Sequence, residues 1–420
     1  EGMILLKNEG QALPLNNKSK LSVYGNTSYN FIAGGTGSGD VNEAYTISLV
    51  QGLQNSGYSL ESGLLKAYSS YLDEYNGKHP KKDFFAEIMN PTPPAPEFTG
   101  YTSLLPAALE TSDAALITIG RNAGEFRDRK KENDFYLSSD ETALIKEVAA
   151  AYHAKGKKVI VIINAGGVID IASWRDQVDA ILLTWQGGQE GGNAVADLLS
   201  GKVNPSGKLA TTIPANYEDD YSSKNFPGVE FPERATTGML GMKAVPAEVK
   251  YEEGIYVGYR YFNTFNVKPA YPFGFGLSYT SFAYTNLRLS SKQLNGKITA
   301  SITIQNTGQT AGKEVVQLYI TAPGKTMDKP AVELKAFAKT KLLAPGEKQV
   351  LTFTLTAADL ASFDRIRSAW VAEPGEYQVK VGSSSLTILQ TGTFALAKEV
   401  ITEKCNKVML PEVPVKELGR

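Results

Sequence analysis

Glu125 is the residue whose type and position are best suited to chemistry on a bound ligand. It lies in the segment Gly-Arg-Asn-Ala-Gly-Glu-Phe-Arg-Asp-Arg at positions 120–129, directly after an apolar run at 114–119. The run predicts a buried strand, and ligands of open α/β sheets bind at the carboxyl ends of strands. The alternative is that Glu125 forms a surface ion pair, as charges on solvated loops commonly do. The basic residues available for such a pair are Arg121, Arg127 and Arg129.

A glycine-rich segment, Ile-Ala-Gly-Gly-Thr-Gly-Ser-Gly-Asp at positions 32–40, is the second candidate. A phosphate-binding loop is one interpretation, and it would make the chain a nucleotide-dependent α/β enzyme. No Gly-Lys-Ser/Thr follows, however, and the glycine spacing of dinucleotide-binding domains is not met. Glycine lets a backbone approach a ligand closely. We therefore expect a ligand-contacting loop in which Ser38 and Asp40 form hydrogen bonds.

The composition excludes several classes of function. Lys and Arg (43) nearly balance Asp and Glu (44), so no net field favours nucleic acid or an anionic membrane. No apolar run reaches the ~18 residues of a membrane span. The single cysteine, Cys405, fits a reducing compartment, and no signal peptide opens the chain, so we expect a cytoplasmic location. Only His79 and His153 accompany it, which leaves little for a zinc site, and we expect no metal or cofactor.

Strands alternating with helices dominate residues 1–214. Apolar runs predict strands covered on both faces, and they lie at 21–25, 114–119, 159–163 and 180–185. Helices are predicted from apolar spacing at 45–53, at 190–199 and after the capping box formed by Ser138 and Glu141. This alternation predicts an α/β sandwich, with a mostly parallel sheet and helices on both faces.

Three further segments of this domain have simpler interpretations. Residues 2–8 predict a short amphipathic helix, and residues 78–106, rich in proline and aromatic residues, predict an irregular surface excursion. Glu190 lies beside glycines at the start of a predicted helix. There a carboxylate interacts favourably with the helix dipole and caps free N–H groups. We therefore interpret Glu190 as structural.

The pattern changes after residue 214. Residues 215–278 form a connector rich in Gly, Pro and aromatic residues, and the aromatic residues favour packing over disorder. Across 279–396 apolar and polar residues alternate between turn sequences such as Asn-Thr-Gly and Ala-Pro-Gly, which predicts an all-β sandwich of immunoglobulin-like architecture. Residues 397–420 lack this alternation and contain two prolines, so they predict a linker or strap.

Six segments occur in the order in which one known family has them. They are Glu-Gly-Met-Ile-Leu-Leu-Lys-Asn-Glu with Leu-Pro-Leu at 1–15, Gly-Gly-Thr-Gly-Ser-Gly at 34–39, the Glu125 loop with Asp-Phe-Tyr-Leu-Ser at 134–138, Trp-Gln-Gly-Gly-Gln-Glu-Gly-Gly at 185–192, Asn-Pro-Ser-Gly-Lys-Leu at 204–209, and Tyr-Glu-Glu-Gly-Ile-Tyr at 251–256 with its continuation to 280. Together they resemble family 3 glycoside hydrolases, the β-glucosidase family, in the arrangement of a circularly permuted bacterial member.

The resemblance implies a role for each candidate residue. Glu125 matches the general acid/base, which the family carries on a loop of its second, α/β-sandwich domain. Phe126 and Arg127 stand where the family has glycine and an aromatic residue, so we expect them in the leaving-group subsite as substrate-binding residues. Ser38 matches a glycine-loop serine that approaches the sugar in some relatives. A fibronectin-type-III-like sandwich follows the α/β domain in many members, in agreement with the alternation at 279–396.

The implied activity is that of a retaining exo-acting β-glycosidase. The expected substrate is a β-glucoside, from which terminal non-reducing β-D-glucose is released; a β-xylosidase or another exo-β-glycosidase is the alternative within this class. Retaining enzymes need two carboxyl groups ~5–5.5 Å apart. In the family the nucleophile is an Asp on a (β/α)8 barrel, which needs roughly 200 residues of βα repeats. The first domain has too few of them, so no such barrel is expected in this chain.

The expected partner is therefore a (β/α)8 barrel domain, as a separate or nicked chain, and residues 397–420 are expected to lead towards it. The alternative of a different class is a non-catalytic carbohydrate-binding or structural fragment. No nucleic-acid or membrane partner is expected, and a homo-oligomer is left open.

Overall fold

The computed structural model describes residues 1–39, 43–80, 82, 86–87, 92–122, 125, 128–238, 241, 243–408 and 413–420. The chain divides into two compact units. The first comprises Glu1–Lys208 with Gly276–Tyr279, and the second comprises Leu209–Phe275 with Thr280–Arg420. The predicted domain boundaries at 214, 278 and 396 remain predictions.

A six-stranded, mostly parallel sheet lies at the centre of the first unit. In spatial order its strands are β1 (Ile4–Asn8), β6 (Ala180–Leu183), β5 (Lys158–Ala165), β4 (Ala114–Arg121), β2 (Lys20–Tyr24) and β3 (Ser59–Leu60). All neighbours pair in parallel except β1, which runs antiparallel to β6. The predicted α/β fold class is confirmed.

Helices cover both faces of this sheet. One face packs against the helices Leu49–Asn55 and Gly191–Leu199, whose apolar residues share a core with alternate residues of β4 and β5. The helix Ser139–Ala154 contacts the same two strands and lies outside that core. Further α-helices in the described part of the unit include Asn26–Tyr29, Ser62–Lys78 and Tyr101–Thr111.

The predicted helix at 2–8 is wrong, because Ile4–Asn8 forms the edge strand β1. Ile4, Leu5 and Leu6 are all buried, so this short strand has apolar side chains on both faces. Such a run has no period that separates strand from helix. Pairing with β6, and a bridge from Leu5 to Leu277, determine the extended conformation.

The capping box at Ser138 and Glu141 is confirmed. Glu141 N donates to Ser138 Oγ at 3.3 Å, and Ser138 N donates to Glu141 Oε2 at 2.9 Å. The helix predicted at 45–53 begins later, at Leu49, because Ser48 forms a second capping box with Gln51. Part of the predicted irregular excursion is also helical, since Tyr101–Thr111 forms a helix that contains Pro106.

The second unit contains the predicted β-sandwich. One sheet has the strands β11 (Phe282–Leu289), β12 (Lys297–Asn306) and β15 (Lys348–Thr356); the other has β14 (Glu333–Lys339), β13 (Val315–Thr321), β18 (Gly375–Gly382) and β19 (Ile388–Leu396). The alternation at 298–304 is confirmed, because Ile298, Ala300, Ile302 and Ile304 are all buried in the core between the sheets.

Residues 209–275 group with this sandwich. Their elements are the short strands β7 (Val229–Glu230), β8 (Thr236–Thr237), β9 (Lys243–Ala244) and β10 (Ala247–Glu248) and the helix Tyr259–Thr264. Tyr256 and Phe262 are buried, as the packing prediction requires, whereas Tyr251 is exposed.

A third, small sheet of the second unit reaches into the expected tail. It consists of β16 (Ser362–Asp364), β17 (Ala369–Ala372) and β20 (Val400–Lys404), and the helix Ala357–Leu360 precedes it. Part of the predicted linker is thus strand. Among the described residues, none of the helices combines the length and apolar character needed to cross a membrane.

Candidate functional site

The carboxyl ends of the parallel strands bring the candidate residues of the first unit together. β4 ends at Arg121, β5 at Ala165 and β6 at Leu183, so the loops that follow these strands share one edge of the sheet. The glycine-rich segment reaches the same edge, because Gly188 N donates to Ala33 O at 2.9 Å. This is the edge at which ligands of open α/β sheets bind.

Asn164 joins two of these segments from inside the protein. Its side chain is fully buried at the end of β5, and Oδ1 accepts a hydrogen bond from Ile32 N at 2.7 Å. Its Nδ2 donates to Ile32 O at 3.0 Å and to Trp185 O at 2.7 Å. The three bonds fix the start of the glycine-rich segment against the turn after β6.

Glu125 lies against the glycine-rich segment, at Gly37. Glu125 N is 3.5 Å from Thr36 O, and a Cβ placed on Gly37 would stand 2.7 Å from Glu125 Cβ and 2.8 Å from its Oε2. Gly37 also has φ +71°, a conformation that favours glycine. The two motifs predicted from sequence therefore meet, and glycine is required where they touch.

The alternative interpretation, a surface ion pair between Glu125 and Arg121 or Arg129, is not found among the described residues, because other carboxylates bind both arginines. Arg121 donates from Nη1 and Nη2 to Glu141 at 2.6 and 2.7 Å. Arg129 binds Asp134. The side chain of Glu125 is exposed, and within the described residues no cation pairs with it.

The amide side chains of Gln186 and Asn122 lie at the same edge, and neither was assigned a role from the sequence. Gln186 Nε2 donates to Gly34 O at 3.1 Å and to Asn122 Oδ1 at 3.2 Å. Trp185, just before Gln186, has φ 55°, a strained backbone conformation for a bulky residue. Local signals for this turn were the motif at 185–192 and its glycines; nothing local marks Asn122 or Asn164.

The remaining predicted site residues are only partly placed. Gly37–Gly39 forms a 3-10 turn, which fixes the backbone of Ser38, but the Ser38 side chain lies outside the described part of the structure. Asp40, Phe126 and Arg127 lie outside the described residues altogether. Their expected roles remain predictions.

Glu190 is held by side-chain hydrogen bonds, although it does not cap its helix. Tyr45 Oη donates to its Oε1 at 2.6 Å and Asn193 Nδ2 to its Oε2 at 2.5 Å. These bonds lower the pKa of Glu190. The predicted capping of N–H groups is wrong, because Glu190 occupies the N-cap of the helix Gly191–Leu199 without a side-chain cap bond.

Glu97 is a largely buried carboxyl that the sequence does not reveal. It accepts hydrogen bonds from Asn26 N at 3.2 Å and from Tyr68 Oη at 3.4 Å. Burial raises the pKa of Glu97 to about 7. In the described part of the chain, no group of three or more His, Cys, Asp or Glu residues is arranged to hold a metal ion.

Comparison with known proteins defines the family. The glycosyl hydrolase family 3 C-terminal domain matches residues 3–259, and a fibronectin type III-like domain matches residues 314–385. The chain belongs to glycosyl hydrolase family 3. The resemblance in the sequence motifs is thereby confirmed.

The most similar relatives include bacterial β-glucosidases. The chain is 36% identical to beta-glucosidase A of Butyrivibrio fibrisolvens, over 98% of this chain and 52% of that protein. It is 34% identical to a beta-glucosidase of Ruminococcus albus, over 100% of this chain and 42% of that protein. The structure of beta-glucosidase 3B from Thermotoga neapolitana in complex with glucose matches with a TM-score of 0.85 and 44% identity, covering 95% of this chain and 53% of that one. The chain thus spans about half the length of these relatives.

Proposed function

We propose that this chain supplies the general acid/base part of a retaining exo-acting β-glucosidase, with Glu125 as the acid/base. The contact between Glu125 and Gly37 carries the proposal, because it sets an exposed carboxylate on the glycine-rich loop at the ligand-binding edge of the sheet. Arg121 and Arg129 do not pair with the Glu125 carboxylate, since Arg121 binds Glu141 and Arg129 binds Asp134. Membership of glycosyl hydrolase family 3 supports the same reading.

Glu125 would act twice in the reaction. As an acid it protonates the glycosidic oxygen while a nucleophilic carboxylate attacks the anomeric carbon, and as a base it then deprotonates the water that hydrolyses the glycosyl-enzyme. The nucleophile would come from an Asp on a (β/α)8 barrel outside this chain, held ~5–5.5 Å from Glu125. Asn122 and Gln186, which share the edge with Glu125, are available to bind sugar or aglycone hydroxyl groups.

The partner in this proposal is the barrel, on a separate or nicked chain. Its support is that the matched relatives are about twice as long as the region they share with this chain. Glucose as the released sugar is supported by the names of the three relatives reported above, all of which are β-glucosidases. The bacterial cytoplasmic location expected from the sequence belongs to the same proposal.

The first experiment measures hydrolysis of aryl β-glucosides by this chain combined with its barrel, as wild type and as Glu125→Ala. We expect kcat/KM for phenyl β-glucoside to fall by about 10²–10⁴-fold, which is the usual contribution of a general acid. The loss should be much smaller for 2,4-dinitrophenyl β-glucoside, whose leaving group needs no proton. Azide should restore turnover of the variant by attacking the glycosyl-enzyme in place of water.

Glu110→Ala is the matched control, because Glu110 is an exposed glutamate at the end of the helix Tyr101–Thr111, ahead of the opposite end of β4. Equal loss on both substrates would reject Glu125 as the acid/base. A panel with aryl β-xylosides separates β-glucosidase from β-xylosidase. An inert complex that still binds glucose would favour the non-catalytic carbohydrate-binding alternative.

A further inference from the structure

Arg121 precedes Glu125 in the chain and forms hydrogen bonds to residues that follow it. It is the last residue of β4, and only 11% of its side chain is exposed. Besides its two bonds to Glu141, it donates from Nε to Asp134 O at 2.9 Å and from Nη1 to Gly120 O at 2.7 Å. The side chain therefore links the residue that precedes the loop to residues that follow it.

Arg129 follows Glu125 in the chain and is also held by hydrogen bonds. Its Nε donates to Asp134 Oδ1 at 2.9 Å, and its Nη1 donates to Val168 O at 2.7 Å. The second oxygen of Asp134 accepts from Lys130 N at 3.0 Å. Asp134 is thus shared, since its carbonyl binds Arg121 and its carboxylate binds Arg129.

These bonds also connect the residues on either side of Glu125 to neighbouring elements. Glu141, the partner of Arg121, caps the helix Ser139–Ala154 through Ser138. Val168, which accepts from Arg129, follows β5, and Gly166 N donates to Arg121 O at 3.2 Å. The two arginines, which lie on either side of Glu125 in the chain, are therefore bound to a helix start and to the turn after β5.

We propose that Arg121 and Arg129 are positioning residues for Glu125, a role that rests on the proposed function. Neither guanidinium is placed to bind substrate carboxylate or phosphate, because carboxylates and carbonyls of the chain already occupy both. They affect catalysis indirectly, because they keep Glu125 in its position against Gly37. A displacement of ~1 Å at a reacting group is enough to cost about 10²-fold in rate.

The test is a double-mutant cycle on this chain combined with its barrel. Arg129→Gln is the main variant, because Arg129 is 31% exposed and its loss leaves the buried Arg121–Glu141 pair intact. We expect kcat/KM for phenyl β-glucoside to fall by about 10–100-fold and that for 2,4-dinitrophenyl β-glucoside by less than about threefold. In the Glu125→Ala background, Arg129→Gln should cause no further loss.

Arg367→Gln is the matched control. Arg367 also binds two carboxylates, Asp364 and Glu399, but it lies in the second unit. Its kcat/KM should stay at the wild-type value on both substrates. Arg121→Gln should repeat the leaving-group dependence of Arg129→Gln; if that variant fails to fold, the Arg129 cycle decides.

The outcomes separate this inference from the proposed function. Suppose that Glu125→Ala loses activity on phenyl β-glucoside, the substrate with the poor leaving group. The positioning role is then overturned if Arg129→Gln lowers the rates of both substrates equally, or if it lowers them further in the Glu125→Ala background. The acid/base assignment stands in either case. If Glu125→Ala keeps full activity, the acid/base assignment fails, and the positioning role fails with it.

Discussion

Gly37 determines how closely the glycine-rich segment can approach Glu125. Any side chain there would meet the Cβ, Cδ and Oε2 of Glu125 at less than 3 Å. Real Cβ atoms do not approach other atoms so closely, so either the loop or the glutamate would have to shift. The position of one carboxylate thus depends on a glycine that is distant from it in sequence.

Gly37→Ala should therefore lower activity more than stability. The change forces a φ of +71° on alanine, which costs about 1 kcal/mol of folding free energy. It also displaces Glu125, so kcat/KM of the chain with its barrel should fall roughly tenfold or more on phenyl β-glucoside. Gly57→Ala is the control, because Gly57 has φ +86° and open space around its Cβ position. Equal activity loss in both variants would contradict the contact.

Glu97 makes the stability of the first unit depend on pH. Because burial raises its folded-state pKa from the ordinary 4.5 to about 7, the folded protein binds more protons than the unfolded chain between these values. The free energy of unfolding should therefore fall as pH rises from about 4.5 to 7, and Glu97 should account for about 3 kcal/mol of that fall. Above pH 7 the ionisation of Glu97 should cause no further loss of stability.

Glu97→Gln should remove this dependence and be the more stable form at pH 8. Urea unfolding of the chain at several pH values between 4.5 and 8 measures both effects. Glu110→Gln serves as the control, because Glu110 is exposed. A Glu97→Gln variant with the wild-type slope in this window would show that another group titrates.

At the scale of elements, the site consists of loops, and buried polar side chains connect these loops through hydrogen bonds. Asn164 is the clearest case, because it is the last residue but one of the apolar strand β5 and binds segments on either side of that strand. The Ser138–Glu141 capping box is another, since Glu141 both starts a helix and binds Arg121 at the end of β4. Single side chains thus serve two neighbouring elements.

Asn164→Ala should destabilise the first unit by about 3 kcal/mol. The change leaves Ile32 N, Ile32 O and Trp185 O without their buried partner, and each unsatisfied group costs about 1–3 kcal/mol before water and relaxation compensate. Chemical unfolding of the chain provides the measurement. Asn55→Ala, which removes an exposed bond to Asn193, should cost less than about 0.5 kcal/mol. A loss below 1 kcal/mol for Asn164→Ala would mean that water replaces the amide.

At the scale of the whole molecule, the proposed function assigns this chain one carboxylate of a reaction that needs two. Each unit has its own core, one around a mostly parallel sheet and one between the sheets of a sandwich. The matched relatives are about twice as long as the shared region. The proposed enzyme is therefore expected to work only when a barrel completes the site, and this chain alone should not hydrolyse aryl β-glucosides.

The sequence by itself determined the fold class, the family and the two motifs of the site. Apolar runs, alternation and capping boxes are local signals, and they predicted the strands around β4 and β5, the helix after Ser138 and the sandwich strand at 298–304. The family followed from the order of six motifs. No pairing between distant residues is needed for any of these.

Only the tertiary structure decided what depends on contacts between distant residues. Ile4–Asn8 is a strand because β6 pairs with it, although its apolar run also fits a helix. Glu125 contacts Gly37 and not Arg121 or Arg129, which are bound by Glu141 and Asp134. Asn164 acts through residues 132 positions away in the chain. Local sequence patterns indicate which side chains are buried. The partner of a polar or charged group, in contrast, is determined by the tertiary structure.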